Sequence, residues 1–440
     1  MEKRKMGGER LFFRSPNINV CFKARIARNA LRGNFSRDDF RLALDAATSR
    51  HPLTSCAVHL DSEGGAWYLP GKSKIGLGFF DGSSPEAWLE WYEKTDGAPF
   101  DFENGPLVKV GVFRSGDSMD IAVIGHHILG DGIGYLNLLR DALSALDGKL
   151  DATAQIVPER AGRKKKTRIS FLPALFAKSL NRSWRKTAKI FSHDDYAKFF
   201  ENYRQGNPPG MYLGLLEGSK LAELLAACKK LGVTVNEAIS AAFVAALQSA
   251  DPRYATGQTW LGCAASIRGE LETPAHGCMG NFVTGIAAQA HYDGSKPFAE
   301  NAKAIGLKLR EKLADQKSRY LAMNFLGMLD SGLIESAVIA AHGGSDNRAS
   351  KKLGELLGEC GREKGIGVSN LGKQSAGEYE NFTVSEITFV PPAFPANLIN
   401  IGVMTAREQM RFCLRYSRSN ISDEAVRMVY LEAVELLARL

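Results

Sequence analysis

The chain contains a stretch that is rich in basic residues and free of acidic ones. Between Arg160 and Lys189 there are eleven Lys or Arg residues and no Asp or Glu, so the stretch separates two long segments. A single hydrophobic core seldom supports more than about 250 to 300 residues, and this chain has 440. We therefore expect two domains or two closely packed halves, at residues 1–160 and 206–440, with a basic amphipathic connector at 161–205.

The composition is that of an ordinary globular protein. Hydrophobic residues make up 45% of the chain and charged residues 24%, which argues against disordered, collagen-like and coiled-coil structures. The longest mostly apolar stretch, Ala238 to Leu247, is shorter than the roughly 20 residues that cross a bilayer. The N-terminus lacks the uninterrupted apolar core of a secretory signal. We expect a soluble cytoplasmic protein, associated at most with a membrane surface.

The seven cysteines are scattered and form no Cys-x-x-Cys pair or Cys/His ligand pattern. They are therefore expected to be reduced thiols, and no metal site is expected. The formal net charge of +8 favours acidic partners, whether phosphates, an acidic carrier protein, anionic lipid or nucleic acid. Net charge alone does not choose among these partners.

The second part of the basic stretch, Phe171 to Phe191, mixes large apolar side chains with the basic ones. This pattern permits a basic amphipathic helix that contacts a membrane or docks a carrier protein. A solvated linker followed by an ordinary packed helix explains the same pattern and is the commoner case. Peripheral membrane contact through residues 160–191 is therefore a hypothesis beside that structural explanation.

Apolar periodicity predicts alternating strands and helices. The patterns of Leu107–Phe113 and Asp120–Gly125 predict adjacent buried strands, and apolar residues at helical spacing follow from Ile133 to Leu146. His126 and His127 therefore stand at a strand-to-helix junction, where a short loop holds side chains in place yet accessible. Further strands and helices are predicted in the second half, including strands at 211–216, 259–266, 282–288 and 382–389 and helices at 219–230, 235–247, 302–317 and 422–440. This alternation predicts α/β or α+β layers in each half.

The most specific motif lies at that junction. The run His126-His127-Ile128-Leu129-Gly130-Asp131-Gly132 matches the pattern His-His-x-x-x-Asp-Gly. With 8 His and 44 Gly in the chain, a chance match is expected in only about one chain in a thousand. The motif therefore indicates a site.

At this motif the chain resembles the superfamily of chloramphenicol acetyltransferase-like acyltransferases. This superfamily includes peptide-synthetase condensation domains, alcohol acetyltransferases, wax ester synthases and mycobacterial polyketide-associated acyltransferases. From about Asn17 to the C-terminus, further landmarks follow in the expected order: Asn29 to Gly33, Arg50-His51-Pro52-Leu53, Pro99 to Phe102, Gly105-Pro106-Leu107, Leu231 to Ala238, Ser266-Ile267-Arg268, Gly280-Asn281 and Val368 to Gly372. Glu237 stands where the superfamily more often has Asp. The resemblance implies an α/β (α+β sandwich) fold, in which two similar subdomains form a V around a central tunnel with the histidine at its middle.

The resemblance also implies a thioester donor and His127 as the general base. A neutral imidazole accepts the proton of a hydroxyl or amine as that group attacks the thioester carbonyl. A hydrogen-bonded core histidine is the alternative explanation. No bound cofactor is implied, because acyl-CoA or a phosphopantetheinyl thioester on an acyl carrier protein serves as co-substrate.

Neighbouring motif residues receive supporting roles. His126 is expected to be structural, because side chains of consecutive strand residues point to opposite faces. In the superfamily the motif Asp commonly pairs with the Arg of the second half. We therefore expect an ion pair between Asp131 and Arg268, with direct catalysis by Asp131 as the alternative. Gly132 is expected to let a backbone approach closely.

The oxyanion of the tetrahedral intermediate needs a hydrogen-bond donor. Asn281 and Asn370 are the candidates from the matched motifs, and Ser369 is a weaker one. Each is also explained as a turn or strand-end residue that stabilises its own backbone.

Two acyl-transfer hypotheses remain open. One is an acyl-CoA-dependent O- or N-acyltransferase with a small-molecule or lipid acceptor, and the other is a free-standing condensation enzyme that joins carrier-bound substrates through an amide. A non-catalytic binding or scaffold protein on the same fold is the alternative of another class, against which the intact His127, Asp131 and Gly132 argue. Nucleic-acid binding is not expected, because the basic stretch carries no recognised motif.

Overall fold

A computed structural model of the chain describes residues 3–7, 9–28, 35–82, 84–151, 169–255, 257–273, 275, 277–358 and 364–440. The landmark predicted at 29–33 and the densest basic run, 163–166, lie outside the described residues. The described strands are β1 (Arg4–Lys5), β2 (Asn19–Arg28), β3 (Ala57–Leu60), β4 (Ala66–Leu69), β5 (Gly76–Phe80), β6 (Val108–Ser115), β7 (Ser118–His126), β8 (Pro209–Glu217), β9 (Thr259–Ser266), β10 (Val283–Ala290), β11 (Gly365–Lys373), β12 (Phe382–Val390), β13 (Asn397–Ala406) and β14 (Gln409–Ser417).

The helices lie between these strands and after the last of them. They are α1 (Arg10–Phe13), α2 (Arg37–Arg50), α3 (Ala87–Asp96), α4 (Gly132–Leu146), α5 (Phe171–Arg185), α6 (His193–Gly206), α7 (Gly218–Leu231), α8 (Val235–Ala250), α9 (Phe298–Ala314), α10 (Gln316–Leu326), α11 (Ser331–Ala341), α12 (Arg348–Leu357) and α13 (Asp423–Ala438). Short 3-10 turns occupy Pro52–Ser55 and Arg268–Glu270.

The first large sheet has the strand order β12-β2-β7-β6-β5. Its neighbouring strands run antiparallel, except that β5 and β6 are parallel. Alternate residues of β2 point to opposite faces: Phe22 belongs to the core that includes α2 and α4, and Cys21 packs with Trp88 and Tyr92 of α3. This sandwich fixes β7, the strand that ends at the histidine motif.

Strand β12 belongs to the second half of the sequence but completes the first sheet. It pairs antiparallel with β2, from Phe382 opposite Arg28 to Val390 opposite Cys21. The two halves are therefore joined by backbone hydrogen bonds as well as by side-chain packing. The domain limits at residues 160 and 205 remain predictions.

The second large sheet has the strand order β10-β9-β11-β13-β14-β8, with β11 parallel to both of its neighbours. Helix α8 packs against this sheet and is buried along most of its length. It begins at Thr234, whose side chain accepts from the backbone N–H of Glu237 while the Glu237 carboxylate accepts from that of Thr234. Helix α7 ends just before, at Gly232 in the left-handed conformation with φ of 66°.

A third layer is helical. Helices α5, α10, α11 and α12 share a small apolar core, to which α5 contributes Ala177, Leu180 and Trp184. The amphipathic helix predicted after the basic run is thus present as α5, and it ends at Arg185. The mixed α+β architecture expected from the sequence is confirmed.

Among the described helices, none alone has the length and apolar character needed to cross a membrane. Two pairs of consecutive helices with a sharp bend between them are long and apolar enough when the two helices are taken together, judged by length and composition only. These pairs are α7 with α8, and Arg319–Leu326 with α11.

Candidate active site

The histidine motif forms a tight turn between β7 and α4. The backbone N–H of Leu129 donates to the carbonyl of His126 at 3.1 Å, and that of Gly130 donates to the carbonyl of His127 at 3.3 Å. Asp131 then caps α4 by accepting from the Gly134 N–H at 2.8 Å. The turn thus places both histidines between two rigid elements, as the sequence predicts.

The His127 ring lies at the edge of a cavity and is covered by aromatic rings. It is 4% exposed and stacks on Phe12 with a centroid distance of 4.4 Å, while Phe394 lies 6.1 Å away. Burial lowers the pKa of His127 below its usual value of 6.5, partly offset by its own backbone carbonyl, Asp131 and Asn281. The ring is therefore neutral at pH 7 and can accept a proton.

The two ring nitrogens of His127 are not equivalent. Nδ1 is fully buried and has no hydrogen-bond partner of good geometry among the described residues. The ring lines the cavity, so we assign Nε2 as the nitrogen that faces it. This assignment leaves Nε2 available to a substrate.

Side chains from several elements hold the backbone of the turn. Asn281 donates from its amide to the carbonyls of His127 at 2.6 Å and Ile128 at 3.2 Å. The Tyr68 hydroxyl donates to the Ile128 carbonyl at 2.7 Å, and the Tyr135 hydroxyl donates to that of His126 at 2.8 Å. Three consecutive carbonyls are therefore fixed, and with them the direction of the His127 ring.

His126 points away from the cavity. Its ring is 2% exposed and packs edge-on against Phe102 at 4.9 Å, while Nδ1 accepts from the Ile128 N–H at 3.3 Å. Burial and the neighbouring His127 lower the pKa of His126 to about 3, so the ring stays neutral. This placement is that of a structural residue.

Asp131 and Arg268 form a buried ion pair between the two halves of the sequence. Arg268 Nη2 lies 2.5 Å from Asp131 Oδ1, and its Nη1 donates to the carbonyls of Ala275 at 2.6 Å and Cys278 at 2.7 Å. The other oxygen of Asp131 accepts from the Phe282 N–H at 2.9 Å. Since both carboxylate oxygens are occupied, the geometry favours a structural role for Asp131 over direct catalysis.

Gly132 opens α4 where other side chains approach. A Cβ at this position would lie 3.2 Å from the Leu371 side chain and 3.4 Å from that of Phe389. The sequence predicts a close approach by a backbone here. The neighbours are instead side chains of β11 and β12, which explains the small residue equally well.

Asn370 and Ser369 lie on β11 and line the same cavity as His127. The Asn370 side-chain oxygen accepts from the Gly372 N–H at 2.8 Å, which orients the amide and leaves its N–H groups without a partner among the described residues. Asn281 differs, because its amide nitrogen already donates to two carbonyls. The structure therefore brings Asn370 and Ser369 to the cavity and turns Asn281 toward the backbone of the motif.

The cavity has a volume of about 460 Å³ and lies where β7, α4 and β12 meet β9, β10, β11 and β13. Its lining is mostly apolar, with Phe12, Ile133, Ile286, Val368 and Phe394 as examples. The charged side chain in the described lining is Asp131, which Arg268 neutralises. Such a cavity suits an uncharged, largely apolar group.

Several residues around the site carry no motif signal. Phe12 belongs to an N-terminal run whose sequence bears only on whether the chain has a secretory signal, and it gives no indication of a contact with His127. Tyr68 and Tyr135 look like ordinary core aromatics in the sequence. Gly125 also carries no signal in the sequence. Its reason is seen only in the packing, where a Cβ would lie 2.3 Å from the Tyr135 hydroxyl.

In the part of the chain that the structure describes, no group of three or more His, Cys, Asp and Glu side chains could hold a metal ion. Cys263 lines the cavity, but burial raises the pKa of its thiol to about 11. It is therefore an inert thiol at pH 7.

Comparison with solved structures identifies proteins of the same architecture. The TRI3 trichothecene 15-O-acetyltransferase from Fusarium sporotrichioides has a TM-score of 0.68 at 14% identity, over 99% of this chain and 94% of that one. The condensation domain of the monacolin K polyketide synthase MokA has a TM-score of 0.62 at 14% identity, over 100% and 97%. The starter condensation domain of rhizomide synthetase RzmA, solved with C8-CoA and Leu-SNAC, has a TM-score of 0.60 at 11% identity, over 98% and 91%.

These likenesses establish the fold, and they cover nearly all of this chain and of each neighbour. The fold implied by the resemblance at the histidine motif is therefore confirmed. No family model matches the sequence, and no curated protein matches it.

Proposed function

We propose that this chain, which has the fold shared by condensation domains and a trichothecene O-acetyltransferase, moves an acyl group from a thioester to a hydroxyl or amine. His127 is the general base. The observation that carries the proposal is the placement of His127, whose neutral ring lines an apolar cavity between the two large sheets. A histidine that served only to stabilise the core would not line such a cavity.

The reaction follows from the neutral ring. Nε2 of His127 accepts the proton of the acceptor as its oxygen or nitrogen attacks the thioester carbonyl carbon. The tetrahedral intermediate then collapses, the C–S bond breaks, and the imidazolium returns the proton to the departing thiolate. The products are an ester or amide and a free thiol, with no covalent enzyme intermediate.

Hydrogen bonding supports this direction of proton transfer. With Nε2 as the acceptor, the neutral ring carries its own hydrogen on Nδ1. The backbone carbonyl of His127 stabilises the protonated form of the ring, and Asn281 holds that carbonyl in place. We therefore assign Asn281 as a positioning residue.

Asn370 is the better candidate for the oxyanion donor. Asn370 lines the cavity and its N–H groups have no partner among the described residues, whereas both Asn281 bonds go to the motif backbone. A preorganised amide stabilises the charge that develops on the carbonyl oxygen. Ser369, which also lines the cavity, is a weaker alternative.

The apolar lining favours an uncharged acyl group in the cavity, with the charged part of the donor outside. Acyl-CoA or an acyl carrier protein is the proposed donor, which the C8-CoA complex of the RzmA domain supports. The acceptor is a small molecule or a lipid. No bound cofactor is part of the proposal.

A free-standing condensation enzyme is the second candidate, supported by the MokA and RzmA neighbours. It uses the same His127 chemistry, but takes both substrates from carriers and forms an amide. A non-catalytic binding protein on this fold is the third, and the neutral, cavity-facing His127 argues against it.

Thiol release tests the proposal and separates the first two candidates. Acyl-CoAs from acetyl to palmitoyl are offered with mixed alcohols and amines, beside acyl-carrier protein with the same acceptors and with an amine held on a second carrier protein. Acceptor-dependent release from CoA supports the first candidate, and release from the carrier alone supports the second. If neither donor releases thiol with any acceptor, the non-catalytic reading takes their place.

A further inference from the structure

Outside the cavity, large apolar side chains of three helices face solvent together. Phe171 and Leu172 at the start of α5 are 76% and 74% exposed, and Leu175, one turn later, is 52% exposed. Leu321 of α10 and Leu356 of α12 are 44% and 58% exposed. We call these five residues the α5 surface. Exposed apolar side chains of this size in one cluster mark an interaction site.

The α5 surface borders a groove with a volume of about 550 Å³. The side chains that line it are all apolar and include Leu172, Leu321, Leu356 and Phe176, whose ring stacks on Phe325 at 6.0 Å. A groove without polar side chains provides few hydrogen-bond partners for a peptide or a sugar. It suits a hydrocarbon chain.

The charge around this surface is largely basic. From Ile169 to Ser192 there are five Lys or Arg residues and no Asp or Glu. Arg185 and Lys189 pair with Asp330 and Asp195, whereas Lys178 and Arg182 are exposed and form no ion pair within the described ranges.

Helix α12 adds charge of both signs to the edge of the groove. Lys352 lies 5.3 Å above the Phe176 ring, and Glu355 is the exposed acidic residue beside Leu356. The charged side chains of α5 are all basic, so the surface as a whole attracts anions.

The groove adjoins the cavity of His127. Leu357, the last residue of α12, lines both the groove and the cavity. Leu11, which lines the cavity, packs against the same small helical core as α5. An apolar chain in the groove would therefore end one side chain away from the reaction cavity.

We propose that the α5 surface docks on an anionic lipid bilayer. Phe171, Leu172 and Leu175 enter the interface, Lys178 and Arg182 contact lipid phosphates, and the groove receives one lipid acyl chain. Apolar insertion combined with basic residues is how amphipathic helices bind anionic membranes. A carrier protein presents its acyl group on a pantetheine arm, so it requires no apolar groove on the surface.

Docking does not depend on the acyltransferase reaction, but the passage of a lipid chain from the groove to His127 rests on the proposed function. The two are tested separately. Binding is measured by co-sedimentation with vesicles, and activity by thiol release from a water-soluble acyl-CoA with a soluble alcohol. The variants below lie outside the His127 cavity and should leave that soluble activity unchanged.

The test uses vesicles of phosphatidylcholine with phosphatidylglycerol, and of phosphatidylcholine alone. The parent should bind the anionic vesicles, and added salt should weaken the binding. Leu172→Asp with Leu175→Asp, and separately Lys178→Glu with Arg182→Glu, should each weaken it by about tenfold or more. The matched controls, Leu42→Asp on α2 and Lys229→Glu with Lys230→Glu on α7, should bind like the parent.

Three results would overturn the proposal. The first is a parent protein that does not sediment with anionic vesicles, and the second is equal binding by the Leu172/Leu175 variant. The third is a parent protein that binds a purified acidic acyl carrier protein but no vesicles, with the carrier binding lost in the same variants. That result would assign the surface to a protein partner.

Discussion

The side-chain amide of Asn281 donates a hydrogen bond to the backbone carbonyl of His127, with an N···O distance of 2.6 Å. The two residues are far apart in sequence, and the bond runs from the second half of the chain to the motif in the first. Asn281 therefore fixes the backbone from which the ring of the proposed base extends. Catalysis depends strongly on such positioning.

Replacing Asn281 with Ala should lower kcat by about tenfold to a hundredfold with little change in KM, because the His127 carbonyl loses its fixed donor. Steady-state kinetics at several pH values measures both constants. Asn347→Ala is the control, since that residue also bonds through its side chain but caps α12 away from the cavity. A kcat that is unchanged in the Asn281 variant would remove the positioning role.

Replacing Asp131 with Asn should cost about 3 kcal/mol in the free energy of unfolding. Asn can still accept from the Gly134 N–H, but the buried Arg268 guanidinium loses the charge that balances it. Denaturant unfolding measures the loss, and the double variant Asp131→Asn with Arg268→Met should lose less stability than the sum of the two single variants.

The exposed pair of Asp346 and Lys351 provides the comparison for that experiment. Asp346→Ala should cost far less stability than Asp131→Asn, because solvent screens that pair. If the two Asp variants lose equal stability, the Asp131–Arg268 pair does not tie the halves together.

The pH dependence of kcat/KM should show how the Phe12 ring, which stacks on His127, affects the pKa of that histidine. A base works in its neutral form, so activity is retained above its pKa and lost as the pH falls through it. Since burial lowers the pKa of His127 below 6.5, the acid limb of the parent should lie below pH 6.5. Phe12→Ser admits water to the ring and should move that limb upward.

Phe12→Leu keeps an apolar cover over the ring and serves as the control for this shift. Its acid limb should stay close to that of the parent. A parent limb above pH 6.5, or the same limb in all three proteins, would contradict the assignment of a desolvated His127 as the base.

Replacing Asn370 with Ala should lower kcat by about a hundredfold, the usual effect of removing one oxyanion donor. The KM should change little, because the donor acts on charge that develops in the transition state. Ser369→Ala should have a smaller effect. A large loss in the Ser369 variant with none in the Asn370 variant would exchange their roles.

The local parts of this structure are readable from the sequence. Apolar spacing predicts the strand-to-helix junction at His126 and His127. The helix predicted at 235–247 is present as α8 with Thr234 as its N-cap, and the helix predicted at 422–440 is present as α13 with Ser422 as its N-cap. Short-range rules carry this information because helix ends depend on side chains only a few residues away.

Long-range contacts were out of reach. Nothing in residues 382–390 shows that β12 pairs with β2 instead of joining the second sheet. The stacking of Phe12 on His127 likewise joins segments whose meeting depends on the whole fold. The sequence motif makes Asn281 an oxyanion candidate or a turn residue, but its bond to the His127 carbonyl depends on the geometry of both halves.

The role of His127 as the base is tested by acceptor-dependent thiol release from the parent protein and from His127→Ala, using the acyl-CoA or acyl-carrier donor that the parent accepts. We expect the variant to fold like the parent and to lose at least about a hundredfold in rate, since general-base catalysis contributes that much. Equal rates in the two folded proteins would contradict it and exclude His127 from the reaction.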